Sequence, residues 1–151
     1  MAIWQYECYI VPIRKNLLDL KHEQIISWKG RECLQQKVDF LDLKESWSKD
    51  IVQYGDLERT CIEFIYEGNE LAEIECRLDL RNFSWEIFKE ILNYVRVINA
   101  VFLCDNRVVL PVEKEVINQI KISEAYKFCS KPIEFLMDRS GKEKYSDNLI
   151  D

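Results

Sequence analysis

Apolar and polar positions alternate over residues 3 to 11, with Trp4, Tyr6, Cys8 and Ile10 on one side and Gln5, Glu7 and Tyr9 on the other. A period of two puts successive side chains on opposite faces of a pleated strand, so the pattern predicts a half-buried strand. Pro12, which has no N–H to donate, limits further pairing. The clearest alternation lies further on. Thr60, Ile62, Phe64 and Tyr66 interleave with Cys61, Glu63 and Ile65, and Ala72, Ile74, Cys76, Leu78 and Leu80 interleave with Glu73, Glu75, Arg77, Asp79 and Arg81, with Gly68-Asn69 between the two runs. Directly opposed residues of a hairpin share a face. A two-residue turn at Gly68-Asn69 would set Phe64 against Glu73 and Ile62 against Glu75, mixing core with charge. An odd loop, Glu67-Gly68-Asn69, sets Phe64 opposite Ala72 and Ile62 opposite Ile74, and this is the register the pattern predicts.

Over residues 84 to 99 the period changes to that of a helix. Ser84 can cap it, Phe83 and Phe88 stand at the two positions of a hydrophobic staple, and Ile87, Ile91, Leu92, Val95 and Ile98 form an apolar stripe. Ala100 to Cys104 and Val108 to Leu110 flank Asp105-Asn106 and predict a second hairpin, closed by Pro111. Val112, Val116, Ile117 and Ile120 recur at helical spacing, a short helical run follows from Ser123 to Cys129, and Ser130 can cap a last turn containing Phe135 and Leu136. Residues 13 to 58 fit neither period: Leu17, Leu18, Leu20, Ile25, Ile26 and Trp28 scatter, and the stretch reads as a long, partly irregular connection. Residues 140 to 151 open on a run without periodicity and are expected to fray. The expectation is a single α+β domain over residues 1–139, an antiparallel sheet (strand, hairpin, hairpin) with helices packed on one face. The other face would stay open, carrying Glu63, Glu73, Glu75, Arg77, Asp79 and Arg81, unless the long connection folds across it.

Composition agrees with a packed domain. The 151 residues are 48% hydrophobic and 32% charged, with four glycines and three prolines, and a chain of this size buries roughly 70% of the surface its unfolded form exposes. A net charge of −6, from 27 acids and 21 bases, repels phosphate backbones and attracts basic surfaces, which argues against a nucleic-acid partner. The start, Met1 to Glu7, lacks a basic flank before an apolar stretch, and no apolar run approaches membrane-spanning length, so the expectation is a cytoplasmic protein without a membrane partner. The six cysteines, at 8, 33, 61, 76, 104 and 129, contain no CxxC pair. They read as reduced thiols, mostly small core residues, with Cys61 and Cys76 on opposite strand faces.

Catalytic chemistry finds little to stand on. His22 is the only histidine and sits in a charged run, and no nucleotide-binding, zinc-protease or nucleophile-elbow motif occurs. No cofactor is expected. Glu73, Glu75 and Asp79 share a strand face where two carboxylates can in principle form an acid and base pair, although Arg77 and Arg81 neutralise them in part and a solvated antiparallel face carries such alternation anyway. Residues 39 to 58 are more suggestive. They hold six acids (Asp39, Asp42, Glu45, Asp50, Asp56, Glu58) against Lys44 and Lys49, with Trp47 and Tyr54 among them. Aromatic anchors carry much of the energy of protein interfaces, and surrounding acids speed encounter with a basic partner. The competing role for Trp28, Trp47 and Tyr54 is to pin the connection onto the core. A partner surface is therefore expected to draw on Trp47, Asp50, Tyr54 and Asp56 of this stretch and on Glu63, Glu73, Glu75, Arg77 and Asp79 of the strands.

The tryptophan ahead of a hairpin whose second strand ends Cys76-Arg77-Leu78-Asp79-Leu80-Arg81, the amphipathic helix, the hairpin ending in Pro111, and Ser123-Glu124-Ala125-Tyr126-Lys127-Phe128 before Lys131-Pro132-Ile133-Glu134-Phe135-Leu136 together resemble the small bacterial immunity-type proteins of polymorphic toxin systems. The resemblance covers residues 47–136. It implies a protein without catalysis that neutralises a toxin by binding it, and the acidic charge would suit a basic toxin domain. It assigns no toxin-binding residue. Two other classes stay open: a structural or assembly module of a larger complex, and a small carboxylate-dependent hydrolase.

Overall fold

Seven strands and four helices make up the computed structural model, which describes residues 1–15, 19–32 and 34–130. In chain order they are β1 (Gln5–Pro12), α1 (His22–Ile26), β2 (Leu43–Lys44), β3 (Ile51–Tyr54), β4 (Cys61–Glu67), β5 (Glu70–Asp79), α2 (Trp85–Val97), β6 (Ala100–Cys104), β7 (Arg107–Val109), α3 (Glu113–Lys121) and α4 (Glu124–Ser130). The strands form one antiparallel sheet in the order β2-β3-β4-β5-β1-β6-β7, so the first strand in the chain lies inside the sheet, between β5 and β6. This is the α+β fold that the element order predicts. The expected last turn at Phe135 and Leu136 and the expected frayed tail lie outside the described residues.

The register of the middle hairpin differs from the expected one. β4 and β5 are joined by the two-residue turn Gly68-Asn69, with Glu67 paired to Glu70 and Tyr66 to Leu71. Gly68, at the first turn position, takes a φ of 64° that costs a glycine little. Pairing then moves to Ile65 with Glu73, which leaves Ala72 as an extra residue, and it continues with Phe64 opposite Ile74 and Ile62 opposite Cys76. The bulge supplies the one-residue correction that an odd loop was expected to supply. Apolar residues again oppose apolar ones, two positions from the predicted pairing. The carbonyl of Ala72 accepts a hydrogen bond from the backbone N–H of Trp28 at 2.8 Å.

Trp28 explains much of the long connection. Its indole N–H donates to the carbonyl of Ile10 at 2.7 Å and the residue is buried, so it ties β1 and the β5 bulge together. Before it, Ile25 and Ile26 of α1 pack on Val11, Val101 and Leu103, on the second face of the sheet. Beyond it, Val38, Phe40 and Leu41 pack into the main core, with Phe40 edge-on to Tyr94 at 6.3 Å. The connection therefore crosses from one face to the other. It also contains β2 and β3, which a reading of residues 13 to 58 as irregular missed. β2 is two residues long, and β3 (Ile51-Val52-Gln53-Tyr54) is at least half-buried throughout, so no alternation shows.

On the main face, Ile10, Ile62, Phe64, Ile74 and Phe102 meet Phe88, Ile91, Leu92 and Val95 of α2 and Val116 and Ile120 of α3. Ser84 caps α2 by accepting from the Ile87 N–H at 3.1 Å, and Phe83 packs on Phe88 with ring centres 5.3 Å apart. Asp105 and Asn106 take φ values of 50° and 67° between β6 and β7, the conformation of a tight primed turn.

Candidate functional site

The second face of the sheet carries a charge cluster centred on Arg77. Registers β1–β5 and β4–β5 place Glu7 and Cys61 directly opposite Arg77, and Tyr9 and Glu63 directly opposite Glu75. The guanidinium reaches three carboxylates: Nη1 lies 3.0 Å from Glu63, Nε 3.3 Å from Glu7 and Nη2 3.3 Å from Glu75. Three acids around one base leave a formal charge of −2 if all are ionised. Withdrawal from water, a hydrogen bond with Glu7 and the charge of Glu7 push the Glu75 carboxyl up to about 8, against the pull of Arg77. The Glu75 carboxyl thus keeps its proton near neutral pH. Burial and the charges of Glu75, Glu73 and Glu7 also raise the phenol of Tyr9.

This face is less open than expected. Glu63 is 3% exposed and Asp79 is 2% exposed, and Gln5, Gln53 and Cys61 are buried with them. The cover is the loop between β3 and β4. The Gln5 amide donates to the carbonyls of Leu57 and Arg59 at 2.8 and 2.6 Å, Trp4 donates to Glu58 at 2.8 Å, and Gln53 donates to Gly55 at 2.8 Å. Gly55 permits the fold-over: its φ is 88° and an added Cβ would stand 2.3 Å from the Thr60 carbonyl oxygen. Glu63 Oε2 and Gln53 Oε1, from directly opposed residues, are buried acceptors without a hydrogen-bond partner. Burial pushes the Cys61 thiol up to about 12, which keeps it protonated and unreactive.

The residues expected at a partner surface separate into several places. Glu63, Glu75 and Arg77 belong to the cluster, and Glu73 lies on the same face beside it, opposite Ile65. Asp79 is turned to local use: its carboxylate accepts the Arg81 N–H at 2.9 Å and its own N–H donates to Thr60 at 3.0 Å. Tyr54 faces the main core, edge-on to Phe64 at 5.7 Å, so for this residue packing decides. Asp56 is exposed and pairs with Lys44 at 3.5 Å and Arg59 at 3.8 Å. Trp47 is 73% exposed in the β2–β3 connection, with Asp50 exposed three residues on. Of the three aromatics weighed as pins, Trp28 and Tyr54 are pins and Trp47 is not. Glu7 was missed. Its alternation with Gln5 and Tyr9 put it on the polar side of β1, but joining it to Arg77 required knowing that β1 pairs with β5.

Among the described residues, no group of three or more His, Cys, Asp and Glu side chains could hold a metal ion, and no helix is long and apolar enough to cross a membrane. Compared with protein-family models, curated proteins and solved structures, the chain has no significant match.

Proposed function

We propose that this chain is a non-catalytic protein-binding module that meets a basic partner through the acidic edge around Trp47, in the manner of an immunity-type protein neutralising a cognate toxin. The observation that carries the reading is Trp47 itself. An indole 73% exposed, with the exposed Glu45 and Asp50 close by in the chain, contributes nothing to the core, and large rigid aromatics are the residues from which interface energy is commonly drawn. Neighbouring acids would steer a cationic partner and make its arrival salt-dependent. Trp47→Ala should leave the unfolding free energy within about 0.5 kcal/mol of the parent and cost a bound partner tenfold or more in affinity. The test is co-expression with a toxin-like candidate encoded beside it, scored by growth, together with pull-down by parent and Trp47→Ala proteins. Rescue by the parent and loss of rescue in the variant support the reading; a partner held equally by both overturns the assigned surface, and a stable non-toxic partner favours the assembly module.

One observation favours a second reading. The Glu75 carboxyl, raised to about 8 beside Glu7, holds a proton near pH 7 as the general acid of a carboxylate pair does. Against it, Arg77 already occupies all three carboxylates of the cluster, and the Cys61 beside it is held protonated. Turnover of p-nitrophenyl esters, phosphates or glycosides that disappears in Glu75→Gln would establish this reading; identical background rates in both proteins would end it.

A further inference from the structure

Away from the charge cluster and from Trp47, a cavity of about 470 Å³ opens where the end of β1, the segment after α1 and the end of α2 converge. Ile13, Trp28, Leu34 and Val97 give it an apolar wall, and Arg31 and Glu32 line it as well. Its volume falls within the range of small-molecule sites, roughly 300–1,000 Å³. Trp28 makes a firm wall, because the ring is fixed by its bond to the Ile10 carbonyl.

The charges beside this wall are unbalanced. Arg14 follows Ile13 in the chain, and its guanidinium Nη2 donates to the carbonyl of Ser27, which precedes Trp28. Arg14 Nε is a buried donor with no acceptor. Burial and, after it, the charge of Arg31 lower the Arg14 guanidinium from its ordinary value, which places the two cations within reach of each other's field. Among the described residues no carboxylate lies within 4.0 Å of either guanidinium, Glu32 included. Two guanidiniums held near each other, one with an unused N–H, are short of an anionic acceptor. Arg31 and Glu32 of the lining balance each other, and Arg14, held beside the wall on the Ser27 carbonyl, brings the group to a net charge of +1, which one negative charge neutralises and two overshoot.

We propose that this cavity binds a small amphiphilic monocarboxylate, its apolar body against Trp28 and Val97 and its carboxylate between Arg14 and Arg31. The test is titration of the full chain with octanoate below its micellar range, followed by backbone amide shifts in two-dimensional NMR. Octanol, octyltrimethylammonium and octyl phosphate are the comparators. Octanoate should saturate with shifts centred on residues 12–14, 27–34 and 97–99, octanol and octyl phosphate should bind at least tenfold more weakly, and the ammonium should leave those amides unmoved. Arg31→Glu, at an exposed position, should weaken octanoate tenfold or more without moving the unfolding midpoint, and Val97→Trp should block it by filling the space. Octanol binding as well as octanoate, or Arg31→Glu binding as well as the parent, would overturn the assigned carboxylate contact; shifts scattered over the surface, or none, would overturn the site.

Discussion

Glu75 shows how far a single residue's chemistry is set by its neighbours. Alternation alone placed Glu63, Glu75 and Arg77 on one strand face, and the structure keeps them there. Absent from that pattern were Glu7, which arrives from a strand nearly seventy positions away, and the burial of Glu63 and part of Glu75. Both depend on tertiary pairing, which periodicity does not report. Their result is a carboxyl raised from 4.5 to about 8. The folded chain then holds a proton that the unfolded chain has lost, so the contribution of Glu75 is fully present below its unfolded value and disappears as pH rises through 8. Glu75→Gln, neutral at every pH, should flatten this slope. At pH 9 the variant should be the more stable by on the order of 1–2 kcal/mol, below the full linkage value because the carboxyl keeps some contact with water. Urea unfolding of both proteins at pH 5 and pH 9 measures it. A stability difference that is the same at the two pH values would show that Glu75 titrates as an ordinary carboxylate.

Elements whose signals are local were legible, and those that depend on partners were not. The Ser84 cap, the Phe83–Phe88 staple and the apolar stripe all fall within one segment, and α2 forms where they say. The β4–β5 hairpin was legible in its faces and not in its turn, because a tight turn followed by a bulge gives the same parity as an odd loop. The β3–β4 loop carried no periodic signal, yet it covers the second face. Its hinge is Gly55. A Cβ there meets both a positive φ and the Thr60 carbonyl at 2.3 Å, whereas Gly30, with a φ of 74°, has nothing within 4 Å of an added Cβ. Gly30→Ala should therefore cost only the left-handed conformation, about 1–2 kcal/mol. Gly55→Ala should cost about 1–3 kcal/mol more, since Thr60 must move and with it the loop carbonyls that hold Gln5. Denaturant titration of the two variants side by side isolates the contact. Equal losses would mean that the loop yields without strain and does not clamp the face.

Across the whole molecule, the two faces of the sheet do different work on a shared backbone. The main face holds α2 and α3 through an apolar core, and the second, where α1 also packs against the expectation of helices on one face only, carries charge beneath a short loop. Whether they melt together is a question the thiols can answer. Cys8, Cys61, Cys76 and Cys104 are buried and free, and they sit on β1, β4, β5 and β6, four strands adjacent in the order β4-β5-β1-β6. Cys8, Cys76 and Cys104 face the helices, Cys8 opposite Cys76, while Cys61 lies on the second face against Arg77. Buried thiols react only when exposed, so pulsed alkylation across a urea series, read by mass spectrometry, reports each strand separately. A domain of this size with one sheet and a contiguous core should unfold as a unit, and all four thiols should become reactive at one urea midpoint. Cys129, half-buried on α4, should react earlier. Labelling of Cys61 at clearly lower urea than the other three would mean that the loop and the charged face open before the core does. Glu63, buried in the intact fold, would then be reachable in the native ensemble beside Glu7 and Glu75, and the balance between the binding and hydrolytic readings would shift toward chemistry at this cluster.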